Sequence, residues 1–358
     1  MLYIRHITIL LTGIMLSITG STARKDVFKV GRIPGNVNLG FVLPVHNRRT
    51  GLHACGELDP TSIMRLFTIK YVLHQLNYGS ESILEGTGIK IGAYIIDSCH
   101  SDAYAMDQAL DFIRGRYENN SNNPRIYGVV GAASSTLSIE LTNFLRIFHI
   151  PQISYESTSE QLSNSERFPF FFRTVTSDAH MVPAMKELLR TFNWTYAAIV
   201  YEDSNYGRSA VGIKGALGAC FATRQVIPRD TAHAYDGDYD KIIQHIIKKR
   251  KVRVILVVAL AKDALRIFLA AKRAGVQNRY VWIGTDGWST ELNDHPEVND
   301  VMEGSLAVMT TSSPIEGLES FAKDLLMKEA KVDMSITSRH PWIREFLDKY
   351  FNCPKHRK

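Results

Sequence analysis

VVGAASSTLSIELTNFLRIFHIPQISYESTS, residues 129–159, reads as strand, tight turn, helix, strand and loop. Val129 and Val130 end a strand, and Gly131 allows a sharp turn. Ser134, Ser135 and Thr136 are positioned to cap the helix that follows. Its apolar residues are Leu137, Ile139, Leu141, Phe144, Leu145 and Phe148, and Pro151 stops it. Gln152–Tyr155 is a second, short strand, closed by the polar loop Glu156, Ser157, Thr158 and Ser159. Hydroxyls and free N–H groups at a helix N-terminus suit an anion. Taken singly, each serine is more readily a cap or a turn residue than a ligand contact. Placed at the carboxyl ends of parallel strands, where ligands of open α/β sheets bind, they form a candidate site.

Outward from this stretch the chain keeps alternating. Strands are expected at Asn38–Val45, Ile89–Ile96, Phe170–Val175, Tyr196–Tyr201, Phe221–Ile227, Val252–Ala259 and Tyr280–Gly284. Helices are expected at Thr61–Asn77, Tyr104–Arg116, Gly207–Leu217, Tyr239–Lys249, Lys262–Ala274 and Pro341–Phe351, with one more from Asp178, as its cap, to Phe192. His46–Gly56 and the asparagine-rich Tyr117–Pro124 read as polar loops. The alternation argues for an α/β fold of mostly parallel sheets with helices on both faces.

The chain has 358 residues, 45% of them hydrophobic, enough for about two domains. Residues 1–23 carry a secretory pattern: Arg5 and His6, the apolar run Ile7–Thr19, then the small residues Ser21 and Ala23. That run falls short of the roughly 20 residues a membrane span needs, and no later stretch is long enough. The four cysteines of a secreted chain suggest disulfides, with three pairings open. Asn119 and Asn193 open glycosylation sequons. The formal net charge is +6 and spread out. The one basic cluster, Lys248–Lys251, reads as a solvated helix end, and no aromatic-interleaved basic motif or zinc-ligand spacing argues for nucleic acid. No GxSxG elbow, HExxH pair or P-loop supports an enzyme, and nothing calls for a cofactor or metal.

Further motifs stand in order: GxxSS at 131–135, IPQISYxSTS at 150–159, FFRTVxSD at 171–178, NWTYxxIVYExxNYG at 193–207, WIGTDGW at 282–288 and PWIREFxxxxFxC at 341–353. On these, the chain resembles the extracellular ligand-binding region of class C G-protein-coupled receptors, above all the metabotropic glutamate receptors, over roughly Val37–Cys353. The resemblance implies a two-lobed, periplasmic-binding-protein-like clam. Lobe one would be residues 37–175 and 311–353, and lobe two residues 176–310, with a return crossing near Met309–Pro314. The sequence ends before the third crossing of the complete receptors, so both sheets are expected to lack their last elements.

The resemblance also assigns residues. An α-amino acid, L-glutamate first, would lie between the lobes. Ser135 and Thr158 would hold its carboxylate and ammonium on lobe one, with Glu156 at a position whose backbone touches the ligand. Asp178, Tyr206 and Asp286 would hold the ammonium from lobe two, Tyr206 through a cation–π contact. Arg65 would take a distal carboxylate. Cys55 would pair with Cys99, leaving Cys220 and Cys353 without their family partners. Lobe one would form a homodimer through 104–116 and 137–148, and a G protein would be a partner only of a chain that continues into the membrane. The alternative reading is a secreted or non-signalling fragment acting as a decoy or dimerisation module.

Overall fold

The computed structural model describes residues 30–48, 55–80, 82–117, 124–212, 219–227, 235–289, 291–311, 313–331 and 341–351. The signal pattern at 1–23, the sequon at Asn119 and Cys353 lie outside these residues.

The strands in chain order are β1 (Gly31–Ile33), β2 (Val37–Leu43), β3 (His46–Arg48), β4 (Cys55–Leu58), β5 (Ile91–Asp97), β6 (Ile126–Val130), β7 (Gln152–Ser154), β8 (Phe171–Arg173), β9 (Tyr196–Glu202), β10 (Cys220–Ile227), β11 (Val254–Val258), β12 (Val281–Thr285) and β13 (Leu306–Val308). Two sheets result. The first has the order β1-β5-β2-β6-β7-β8 and the second β10-β9-β11-β12-β13. Only β1 runs antiparallel to its neighbour in these two sheets; the other pairings are parallel. The fold is therefore a two-lobed α/β architecture of mostly parallel sheets.

The pleat explains the layers. Successive side chains of a strand face opposite ways, and a parallel strand covered by helices on both sides must be apolar throughout. In the first lobe Phe41, Leu43, Ala93 and Ile95 pack with Ile63, Leu66 and Phe67 of helix Pro60–Tyr78. Val42, Tyr94 and Ile96 turn to the opposite face, against Phe112, Leu137, Leu141 and Leu145. The second lobe repeats the scheme. Ala198, Val200, Ile255 and Val257 face helices Asp236–Ile247 and Ala261–Arg273, while Ala197, Ile199, Val254 and Leu256 face Val182, Met185 and Leu189.

The chain leaves the first sheet after Arg173 and leaves the second after Val308. Helices Leu318–Lys331 and Pro341–Tyr350 then return to the first lobe's core through Ala322, Trp342, Ile343 and Leu347. The Tyr71 hydroxyl donates to the Glu316 carbonyl at 2.7 Å and fastens that return. Cys55 and Cys99 form a disulfide with Cα atoms 5.3 Å apart, tying β4 to the end of β5. Cys220 is a free, exposed cysteine.

Several local expectations need correction. The segment Tyr104–Arg116 is two short helices, Asp102–Ala109 and Asp111–Arg114, joined at the exposed Leu110. The helix after Ser134 ends at Leu145 and tightens into one 3₁₀ turn, Arg146–Phe148. His149, at φ 54°, ends it in the left-handed conformation, two residues before Pro151. Ser177, not Asp178, caps the next helix: its hydroxyl accepts from the Ala179 N–H, and Asp178 is the first helical residue. The polar loop after β2 contains the antiparallel pair β3–β4. The sequence reading gives no element to 318–331, although Phe321, Ala322, Leu325 and Leu326 recur at helical spacing.

At the edge of the first core, buried His46 lies between two carboxylates. Its Nδ1 is 2.5 Å from Asp97 Oδ2 and its Nε2 3.1 Å from Glu345 Oε1. Burial opposes the charged ring, yet the two carboxylates outweigh it and raise His46 to about 9. The pair thus joins the returning helix Pro341–Tyr350 to the end of β5. A raised histidine stabilises the fold below its unfolded value of 6.5 and loses that contribution as pH rises through about 9. In thermal unfolding, the stability lost in His46→Gln should be largest near pH 6 and shrink towards pH 10. A deficit independent of pH would contradict the charged bridge.

Candidate functional site

The site grows from the carboxyl end of β6. Gly131 has φ 124°, and a Cβ there would stand 2.6 Å from the Val42 carbonyl oxygen, so only glycine makes this turn. Helix Ser135–Leu145 follows, its cap Ser134 accepting from the Leu137 N–H at 3.4 Å. A buried hydroxyl network lies beneath. Ser154 Oγ and Ser157 Oγ donate to the Ala132 carbonyl at 2.7 and 3.0 Å. Ser157 Oγ also meets Ser138 Oγ at 2.8 Å, and Gln152 Nε2 donates to the Gly131 carbonyl at 2.7 Å. Ser135 joins the two loops, its Oγ accepting from the Ser159 N–H at 3.1 Å. Ser138, Gln152 and Ser154 were not singled out by sequence reasoning, and Ser157 entered only as one residue of the polar loop. The available signal was Gln152 and Ser154, polar at alternate positions on one face of a short strand between apolar helices.

The second lobe brings its own polar groups to this platform. The Asp178 N–H donates to the Thr158 carbonyl at 2.8 Å. The Glu160 N–H donates to Ser209 Oγ at 2.9 Å, and Asn205 donates through its backbone N–H and its Nδ2 to Thr136 Oγ1, each at 3.3 Å. Helices Ser135–Leu145 and Asn205–Gly212 thus meet at their N-termini across the cleft. Tyr206, buried, is 2.6 Å through its hydroxyl from Thr285 Oγ1 and donates to Asp286 Oδ1 at 3.4 Å. Trp288 closes the loop behind, its Nε1 donating to the Val257 carbonyl at 3.0 Å.

Asp178 is the focus of this set. It is 1% exposed, and neither carboxylate oxygen has a hydrogen-bond partner. Burial raises its carboxyl to about 6; the Thr158 hydroxyl opposes the rise, Asp286 adds to it, and Arg173 and Ser209 oppose it. The Thr158 and Ser209 hydroxyls lie near enough to favour the anion without meeting hydrogen-bond geometry, so the carboxylate stays unpaired. Burial also raises Asp286, against the Tyr206 hydroxyl and two backbone N–H groups. The Ser159 hydroxyl is likewise buried and unpartnered. Buried polar groups are nearly always paired, so this cluster is the candidate place for another molecule to bind. Hydroxyls and helix N-termini offer donors to an anion, and Asp178 and Asp286 offer charge to a cation.

The structure therefore gathers Ser135, Thr158, Asp178, Tyr206 and Asp286. Arg65 and Glu156 lie beside them, on each other: Arg65 Nη2 stands 3.0 and 3.2 Å from the two Glu156 oxygens. Asn193 is exposed in a turn at φ 54°.

The model of the receptor family ligand-binding region matches residues 78–350. The chain belongs to that family. Within it, the chain is a class C G-protein-coupled-receptor ligand-binding domain. It is 30% identical over 347 residues to metabotropic glutamate receptor 6 of Oryctolagus cuniculus, covering 90% of this chain and 38% of the relative. Metabotropic glutamate receptor 4 of Macaca fascicularis and receptor 8 of Homo sapiens are each 30% identical, over 344 and 342 residues, 90% of this chain and 36% of each relative. The ligand-binding domain thus spans less than two fifths of the length of these relatives, which are receptors and not enzymes. No helix among the described residues is long and apolar enough to cross a membrane.

A raised acid weakens the fold where it ionises. Asp178 titrates at about 6 folded against an ordinary value of 3.8, so stability falls as pH rises between those values. Asp178→Asn should therefore raise stability at pH 7.5 by up to about 3 kcal/mol, and by much less at pH 4. Chemical denaturation at the two pH values checks this; a variant less stable at pH 7.5 would contradict it.

Proposed function

We propose that this domain binds an α-amino acid between its lobes, and that binding favours the closed arrangement. The carrying observation is the unpaired, buried Asp178 carboxylate set across the cleft from Ser135 and Thr158. An α-amino acid presents a carboxylate and an ammonium on one carbon. The hydroxyls and N–H groups at Ser135, Thr158 and Ser159 suit the first. Asp178 and Asp286, with the Tyr206 ring, suit the second, and an arriving ammonium would restore the ionised form of Asp178.

Lobe one is residues 37–175 and 311–353 in this reading, and lobe two residues 176–310. Ser135 and Thr158 set the capture step, while Asp178, Tyr206 and Asp286 supply the differential affinity that closure requires. A homodimer through lobe one, secretion directed by residues 1–23 and glycosylation at Asn119 and Asn193 belong to the same proposal. Signalling through a G protein would be the work of a complete receptor. The names of the relatives make L-glutamate the first ligand to test.

Calorimetry on the secreted chain is the test. Ser135→Ala and Thr158→Ala should each weaken the binding of an α-amino acid by about 1–3 kcal/mol, by removing hydrogen bonds to a charged group. Small-angle scattering should show a compaction on binding that is reduced in Tyr206→Ala. Absence of binding by every α-amino acid in a broad panel would sink the proposal.

A further inference from the structure

The guanidinium beside the cleft is already occupied. Arg65 sits on helix Pro60–Tyr78, its cation 5.9 Å over the Tyr155 ring. Nη1 donates to Ser62 Oγ at 3.0 Å, and that hydroxyl donates to Asp59 Oδ2 at 2.7 Å. Nη2 takes both oxygens of Glu156. Glu156 lies two residues before Thr158, so its backbone is part of the loop that faces the proposed ligand while its side chain reaches away to Arg65. Across the cleft, Glu291 follows the Asp286 loop and lies within electrostatic reach of both: burial raises its carboxyl, Glu156 adds to this, and Arg65 counters it.

The charges in this region do not balance. Asp59, Glu156 and Glu291 oppose Arg65, and Asp97 and Lys262 act on the same neighbourhood through His100. Asp97 is already held by the raised His46, and the remaining Asp59, Glu156 and Glu291 outnumber Arg65 and Lys262, which leaves the region negative. An amino acid with an anionic side chain would meet that surplus wherever the side chain lies along this wall. Docking its carboxylate on Arg65 would require displacing Glu156, which is tethered by the chain and competes at a high effective concentration. The displaced Glu156 carboxylate would then stand close to a like charge.

We propose that Glu156 is a built-in counter-ion for Arg65 that selects against anionic side chains, so that this domain prefers α-amino acids whose side chain carries no negative charge. The proposal rests on the amino-acid reading above and specifies it. Selectivity here is set by repulsion as much as by attraction. The role depends on the glutamate itself: a small residue at 156 would leave Arg65 open to a ligand carboxylate.

The test compares L-glutamine with L-glutamate, which share a shape and differ in side-chain charge. Calorimetry on the intact chain should give L-glutamine at least about tenfold tighter than L-glutamate, a difference of about 1.4 kcal/mol. Glu156→Gln and Glu156→Ser should each tighten L-glutamate about tenfold or more while moving L-glutamine less than about threefold. Adding Arg65→Gln to Glu156→Gln should abolish that gain, and thermal unfolding confirms that each variant is folded. A wild-type chain that prefers L-glutamate, or a ratio unchanged in both Glu156 variants, overturns the selectivity proposal alone. If no amino acid binds any folded form, the amino-acid reading falls and takes this one with it.

Discussion

Three serine hydroxyls, of Ser138, Ser154 and Ser157, converge on the Ala132 carbonyl oxygen at 3.3, 2.7 and 3.0 Å. That oxygen is buried in the turn that Gly131 makes possible, and the hydroxyls gathered on it and on each other join the end of β6, the start of helix Ser135–Leu145 and the loop after β7. The Ser135 hydroxyl, the Thr158 backbone and the Glu156 side chain all take their positions from this junction. Buried hydroxyl networks of this kind are stable only when they are satisfied throughout, and here Gln152 Oε1 and the neighbouring Ser159 hydroxyl have no partner. The lobe-one half of the site is thus a stiff platform with an unsatisfied edge facing the second lobe.

The second lobe presents the opposite condition. Asp178 opens a helix, where the dipole favours its anion, yet burial and the neighbouring Asp286 push its carboxyl up to about 6. Asp286 is itself raised by burial. Two desolvated carboxylates close together cost stability, and the proposed amino-acid ammonium, held as the lobes meet, would account for their burial. Stability is spent at the site and recovered in the cores, where β11 is buried along its whole length and Trp282 packs edge-on against Phe268.

The sheet architecture was legible because parallel strands here are nearly continuous apolar runs separated by helical periodicity. The lobe-one residues were legible because hydroxyls cluster at the two strand–helix junctions of 129–159. What the sequence hid were pairings over long separations. His46 and Glu345 are 299 positions apart, and Arg65 and Glu156 are 91 apart. No local pattern links such residues. By the resemblance Arg65 read as a ligand-holding arginine and Glu156 as a position whose backbone touches the ligand; only the fold puts one side chain on the other. Asp178 read as a cap because aspartate before an apolar helix usually is one, and the adjacent Ser177 performs that task instead.

The central claim is that the Asp178 carboxylate awaits a ligand's ammonium group. Carbon-detected NMR of the aspartate side-chain carboxyls, titrated between pH 3 and 8, reads its protonation directly. The account predicts that Asp178 titrates near 6 in the free domain and falls to or below 3.8 when a saturating α-amino acid is present. An Asp178 that titrates at the same pH with and without the amino acid, although that amino acid binds, would contradict it.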